Sequence, residues 1–128
     1  MKKYILLLLL LSIQQSVYAA RSSNQLAGTY DCTSEEVGTH EKYTGIMLVT
    51  KTGDTYGVSS TFNDGSKYTG TGIYDTHKHN FSVVFINPKN PSETGLGMAD
   101  VKKNYDMKST WTYLNNTTLG YAKCTKRV

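Results

Sequence analysis

From Leu26 onward the sequence consists of short segments in which apolar and polar residues alternate, each ending at turn-forming residues. Residues 55–62 illustrate the pattern, because Tyr56, Val58 and Phe62 would share one face of a strand. The Asn63-Asp64-Gly65 sequence that follows is typical of a hairpin turn, since these residues tolerate positive φ. On this basis we predict eight strands, at residues 26–33, 43–51, 55–62, 67–75, 80–87, 94–102, 105–113 and 118–126.

Eight short strands joined by hairpin-length turns predict an all-β domain built as an antiparallel up-and-down meander. Closing the meander into a barrel removes the exposed edges that an open sheet would leave. We therefore predict a small closed barrel, with an open sandwich as the alternative. Residues 34–42 fit either one helical turn or a loop, and residues 88–93, which contain both prolines, are predicted to form a loop.

The N-terminus predicts export. Two lysines precede an unbroken apolar run at residues 5–11, which matches the first two regions of a secretory signal. The run is shorter than the roughly 20 apolar residues that span a bilayer. Small residues follow at a suitable cleavage position, so we predict a signal peptide at residues 1–19 and a single domain at residues 20–128, with cleavage one residue later as the alternative. The expected location is secreted or periplasmic.

Two cysteines, Cys32 and Cys124, lie in the first and last predicted strands. These strands would be neighbours in a closed up-and-down barrel, so a disulfide would fasten the seam between them. An exported protein meets an oxidising compartment, where such a bond is expected. Two free thiols are the alternative, and neither cysteine has a surrounding motif that indicates catalysis.

The charge composition argues against nucleic-acid binding. Two of the 14 lysines and arginines lie in the predicted signal peptide, which leaves 12 against 10 aspartates and glutamates, a formal net charge of +2. The longest basic runs are the pairs Lys102-Lys103 and Lys126-Arg127, whereas nucleic-acid binding usually needs a clustered basic face. The sequence has no second long apolar run, so we predict no membrane span after signal cleavage.

A tyrosine-glycine hairpin, a second strand pair and a closing tryptophan strand follow one another between residues 45 and 125. The residues that form this pattern are Gly53-Asp54-Thr55-Tyr56, residues 68–73, residues 81–85, Trp111-Thr112-Tyr113 and Thr118-Leu119-Gly120. The pattern resembles a group of small exported bacterial β proteins labelled fibronectin-binding. That resemblance implies a β domain that binds extracellular matrix.

The opening Gly28-Thr29-Tyr30 resembles the Gly-x-Trp start of the avidin and lipocalin barrels, the calycin superfamily, with Tyr30 in the place of the tryptophan. This second resemblance implies a barrel more directly than it implies any ligand.

Aromatic residues and glycines supply the candidates for a binding site. Trp111, Tyr113, Tyr56, Phe81 and Phe85 are the predicted ligand-binding residues, and a filled core is the alternative role for them. Eight-stranded barrels have just enough room for side chains or one small ligand. Glycines alternate along two predicted strands, where they would either allow close backbone approach or leave empty volume; they are Gly70, Gly72, Gly95 and Gly97.

Histidines supply the candidate metal ligands. His77 and His79 would point the same way if they lay in a strand, and His40 could add a third ligand. A hairpin turn at residues 75–80 is the alternative, and we favour it. The sequence has no nucleophile paired with a base, no carboxylate pair and no glycine-rich phosphate loop. We therefore predict no metal site, no cofactor and no catalytic residues.

The leading expectation is an exported, non-enzymatic binding protein. Its partner would be a small apolar or aromatic ligand inside the barrel, or a protein that contacts a tyrosine-rich exterior, since tyrosine is enriched in contact surfaces. The alternatives are an adhesin for extracellular matrix such as fibronectin, a small barrel enzyme, and an inhibitor of a secreted enzyme that acts through a protruding loop at residues 88–93.

Overall fold

The computed structural model describes residues 25–36 and 38–128, and the signal peptide predicted at residues 1–19 lies outside them. The described chain forms eight antiparallel strands in a closed barrel, in the order β1 to β8. In the part that the structure describes, no helix has the length and apolar character needed to cross a membrane. The strands are β1 (Gly28–Glu36), β2 (Lys42–Thr52), β3 (Thr55–Phe62), β4 (Lys67–Asp75), β5 (Asn80–Asn87), β6 (Asn90–Val101), β7 (Met107–Tyr113) and β8 (Gly120–Lys126).

The predicted closure and the predicted disulfide are both confirmed. Each strand pairs with the next along the chain, and β1 also pairs with β8, which leaves the sheet without an edge. Cys32 and Cys124 face each other directly in that last pairing, with their Cα atoms 4.1 Å apart, and they form the disulfide. The open sandwich is therefore wrong, as are the two free thiols.

The connection between β1 and β2 differs from the sequence-based expectation. Most of the described part of residues 34–42 is strand, because β1 continues to Glu36 and β2 begins at Lys42; only a short turn connects them, in which the N–H of His40 donates to the carbonyl of Glu36 over 3.1 Å. Ser34 and Glu36 point to the same, inward face as Cys32, as alternate residues of a strand do. Residues 34–36 also stay paired with β8, so the strand extends to Glu36.

The predicted proline loop at residues 88–93 is also wrong. The β5–β6 connection is a turn at Pro88 and Lys89, and β6 already begins at Asn90. Asn87 pairs with Asn90 whereas the preceding Ile86 pairs with Thr94, so three residues of β6 bulge between the two pairs. A bulge accommodates Pro91, which has no N–H to give to a ladder.

The barrel has two different ends. We call the end with the β1–β2, β3–β4, β5–β6 and β7–β8 connections the mouth, and the other the closed end. At the closed end Tyr30 donates a hydrogen bond of 2.6 Å to the carbonyl of Leu26, and the rings of Tyr56 and Phe81 meet edge to face at 5.8 Å. We call this buried cluster the plug; it consists of Leu26, Tyr30, Val49, Tyr56, Phe81 and Val101.

The disulfide should contribute a large share of the stability, because it closes a loop of 92 residues across the seam. We expect the double variant Cys32→Ala/Cys124→Ala to lower the free energy of unfolding by about 2–4 kcal/mol. Urea unfolding of the oxidised protein and of the variant measures the difference. Reductant should lower the stability of the parent and leave the variant unchanged. A variant as stable as the oxidised parent would contradict the expectation.

Candidate ligand-binding cavity

The half of the barrel between the plug and the mouth encloses a cavity of about 270 Å³. Pockets for drug-sized ligands are roughly 300–1,000 Å³, so this cavity lies just below that range and suits a smaller ligand. Phe81 of the plug forms part of its wall, and so do Cys32 and Cys124 of the disulfide. The seam that closes the barrel is therefore also a wall of the cavity.

Small inward-facing residues explain why this half is open. Ser34, Ser60, Ser109 and Ala122 line the cavity where larger side chains would fill it. Gly97 contributes most directly, because a Cβ atom added there would meet nothing closer than 3.7 Å. Gly97 faces Val83 on one neighbouring strand and Trp111 on the other, so its missing side chain leaves space between them.

The other glycines of the two predicted pairs allow close approach instead. A Cβ atom at Gly72 would lie 2.4 Å from the Phe81 ring, and one at Gly95 would lie 2.1 Å from the carbonyl oxygen of Thr112 and 2.8 Å from the Phe85 ring. At Gly70 the obstacle is backbone, the carbonyl oxygen of Val84 at 2.3 Å. Both predicted roles of the alternating glycines therefore occur. Gly97 leaves empty volume, and Gly70, Gly72 and Gly95 allow close approach.

Five aromatic rings form a continuous row around the upper cavity. Neighbouring rings contact edge to face, which is the arrangement that aromatic pairs prefer. The distances between successive centroids are 5.8, 5.7, 6.1 and 5.2 Å. We call this set the aromatic row; it consists of Phe62, Tyr68, Phe85, Tyr113 and Trp111. Four strands, β3, β4, β5 and β7, contribute to it.

Four of the five predicted ligand-binding residues line the cavity, namely Trp111, Tyr113, Phe81 and Phe85. The fifth, Tyr56, is 5 % exposed and belongs to the plug. Tyr56 lies far from the mouth because it is near the start of β3, at the closed end. A ligand-binding role for the four lining residues stays a prediction.

Sequence reasoning missed Phe62 and Tyr68, which complete the aromatic row. The predicted alternation that places Phe62 on one face with Tyr56 and Val58 is confirmed, and the structure shows that this face points inward. The face alone does not say which rings meet. The signal that could have found the pair is their position on either side of the tight turn at residues 63–66, which brings the two strand ends together.

Glu93 is held at the mouth by three neutral donors. The Tyr68 hydroxyl and the Asn87 amide donate to one carboxylate oxygen, the latter over 3.2 Å, and the Asn90 amide donates to the other over 3.0 Å. Tyr113 lies 3.2 Å from Tyr68, hydroxyl to hydroxyl, and extends the network. The bulge in β6 places Glu93 here, as bulges often redirect a side chain.

Two more carboxylates line the cavity at the mouth. Glu36 ends β1, and Asp64 lies in the β3–β4 turn. The hydroxyl and the backbone N–H of Ser66 donate to Asp64, which holds the pKa of that carboxyl below its ordinary value. Burial raises the pKa of Tyr113, and the negative charges of Glu93, Glu36 and Asp64 raise it further. All three carboxylates therefore act on one hydroxyl.

Burial also raises the pKa of Tyr68, and its hydrogen bond to Glu93 adds to the effect. Its hydroxyl therefore stays protonated at neutral pH and donates to Glu93. The arrangement provides a fixed negative charge beside an aromatic wall.

The indole N–H of Trp111 is buried and has no hydrogen-bond partner within the described chain. The ring lies against Gly120, where a Cβ atom would be 2.1 Å from Cε2, so a side chain at that position would displace it. Buried donors almost always have a partner, and an unpaired one is costly.

The three histidines do not converge. His77 and His79 lie in the β4–β5 turn at the closed end, whereas His40 lies between β1 and β2 at the mouth. His79 Nδ1 is 3.4 Å from the Tyr74 hydroxyl, and His40 pairs with Glu35. The favoured turn is confirmed, and the hypothesis of a site shared by all three histidines is wrong because opposite ends of the barrel separate them.

The expected tyrosine-rich exterior is wrong. Eight of the 10 tyrosines lie in the described chain, and of these only Tyr121 is exposed, at 51 %. The reason is strand parity, because residues such as Tyr43, Tyr68 and Tyr113 share the inward face.

The sequence matches no family model, and no curated protein matches it significantly.

Gly72 and Gly97 offer a matched test of the interior, because both face Val83 from neighbouring strands. We expect Gly72→Ala to lower the free energy of unfolding by about 1–3 kcal/mol, since the new methyl group collides with the buried Phe81 ring. Gly97→Ala should be neutral or stabilise by up to about 1 kcal/mol, because space is available. Thermal unfolding of both variants measures this. Equal losses would contradict a hollow at Gly97.

Proposed function

We propose that this chain is an exported, non-enzymatic binding protein that holds a small apolar or aromatic ligand inside its barrel. The observation that carries the proposal is the cavity of about 270 Å³ between the plug and the mouth. Its wall combines the aromatic row with the open space at Gly97. Binding pockets are typically concave and largely apolar, with a few polar groups that orient the ligand.

The aromatic row supports an aromatic or flat apolar ligand. Aromatic side chains offer large contact areas and favour edge-to-face or offset contact with another ring. Because each ring of the row already contacts a neighbour, the wall is fixed before a ligand enters. A preformed wall lowers the entropy lost on binding.

The disulfide supports export. Disulfides persist in oxidising compartments, so the Cys32–Cys124 bond agrees with the signal peptide predicted from the sequence. We propose a secreted or periplasmic location on these two grounds.

Titration of the fluorescence of Trp111, the only tryptophan, with a panel of small apolar and aromatic compounds tests the proposal. We expect a saturable change for at least one compound. Gly97→Leu should abolish it, because the new side chain would occupy the space between Val83 and Trp111. Calorimetric titration of the same compound provides a readout that does not depend on the indole.

Gly57→Leu is the matched control. Gly57 lies in β3 with an ordinary contact distance of 3.7 Å for an added Cβ atom, and it is absent from the cavity wall. This variant should bind as the parent does. A response that survives Gly97→Leu, or no response across the panel, would count against a ligand inside the barrel.

A protein partner is the second candidate, and an exposed apolar area on the outer face of β4–β6 favours it. Val84 faces Leu96 directly across the β5–β6 ladder, and Ile73 and Met98 lie on either side of Ser82. Their exposed fractions are 62, 49, 66 and 51 % in that order. Exposed apolar areas mark interaction sites when they are contiguous. An extracellular protein such as fibronectin would bind here without any response of the interior.

A further inference from the structure

We propose that the ligand is an organic cation, with its positive charge among the carboxylates of the mouth and its apolar body in the cavity. The proposal rests on the proposed function and names the chemical class of the ligand. We call the three lining carboxylates, Glu36, Asp64 and Glu93, the acidic mouth.

The acidic mouth is not neutralised by the described chain. Ion pairs among the described residues join His40 to Glu35 and Arg127 to Asp31, and neither includes a carboxylate of the acidic mouth. The partners of Glu93 are a hydroxyl and two amides, which fix the carboxylate without cancelling its charge. A cationic ligand would supply the missing positive charge.

Basic side chains are absent from the described wall of the cavity. Lys42 and Lys67 lie at the same end, but their neighbours Tyr43 and Tyr68 occupy the inward positions, so both lysines face outward. Lys89 lies in the β5–β6 turn and is also not part of the wall. An anionic ligand would meet three negative charges and no positive one, which disfavours it.

The aromatic row also favours a cationic ligand, through cation–π interactions. The faces of aromatic rings carry negative electrostatic potential and attract cations, more strongly where water is excluded. Phe62, Tyr68 and Tyr113 lie in the part of the row nearest the mouth, because each is at the end of its strand or next to it. Tyr43, in the second position of β2, also lines this region.

The electrostatics of Tyr113 agree with this geometry. Burial has the largest effect on the pKa of its hydroxyl and raises it, the hydrogen bond with Tyr68 lowers it, and the three carboxylates of the acidic mouth each raise it. The ring of Tyr113 also contacts that of Trp111, with the centroids 5.2 Å apart.

An organic cation fits this site better than a metal ion does. No group of three or more histidine, cysteine, aspartate or glutamate side chains in the described chain is close enough to hold a metal. The carboxylates instead surround an opening that leads to an aromatic wall, so a charged group attached to an apolar body satisfies both parts.

Phenyltrimethylammonium and tert-butylbenzene provide a matched pair of probes, because they have nearly the same shape and differ in charge. Calorimetric titration of the purified, oxidised protein should give about tenfold tighter binding of the ammonium compound. Equal affinities, or tighter binding of the neutral probe, would overturn the charge assignment and leave the proposed function intact. Binding of neither probe would overturn this inference, and the panel of compounds would then decide separately whether the proposed function stands.

Single-residue variants locate the effect. Glu36→Gln and Glu93→Gln should each weaken ammonium binding about two- to fivefold and leave tert-butylbenzene binding unchanged. Glu35→Gln is the matched control, because Glu35 is adjacent in sequence and removes the same charge from the outer face. It should change neither affinity. Equal losses in Glu35→Gln and Glu36→Gln would show a long-range effect of net charge and overturn the site.

Discussion

The pairing of β1 with β8 is the interaction on which the rest of the structure depends. Without it, the meander would be an open sheet with two unpaired edges, and the inward faces would not enclose a volume. Cys32 and Cys124 lie opposite each other in this pairing, so the covalent bond reinforces contacts that the backbone already makes. Because both cysteines also line the cavity, the same bond fixes the shape of the binding wall.

The interior is divided by the sizes of its side chains. Large residues near the closed end, such as Tyr30 and Phe81, fill the cross-section completely. Towards the mouth, small residues such as Gly97 and Ser109 alternate with the aromatic row, and the barrel stays hollow. An eight-stranded barrel is close to the size at which either outcome is possible, so a few side chains decide it.

The sequence predicted the strands well where local signals determine them. The bounds of β3, β4 and β5 agree with the prediction, because local signals mark both turns between them. Asn63-Asp64-Gly65 separates β3 from β4, and the side chain of Asp75 accepts from the N–H groups of His77 and Lys78 where β4 ends. The bulge in β6 was not predictable from composition, since Pro91 suggested a loop and only the register with Ile86 and Thr94 shows a strand. Glu93 was therefore missed as a residue of the mouth.

The candidate site was predicted only in part, for a related reason. Alternation assigned Trp111 and Tyr113 to one face, but it did not show which faces of distant strands meet. The grouping of Glu36, from the first strand, with Glu93, from the sixth, exists only once the barrel is closed. The expected tyrosine-rich exterior was wrong because strand parity places those rings inside.

The barrel is hollow above the plug, and xenon binding would reveal that space without any chosen ligand. Xenon enters apolar cavities without needing a specific ligand. Diffraction from crystals of the protein under xenon pressure should show an ordered atom between Val83, Gly97 and Trp111. Side chains that fill this space, with no xenon in the barrel, would show that the barrel is not hollow.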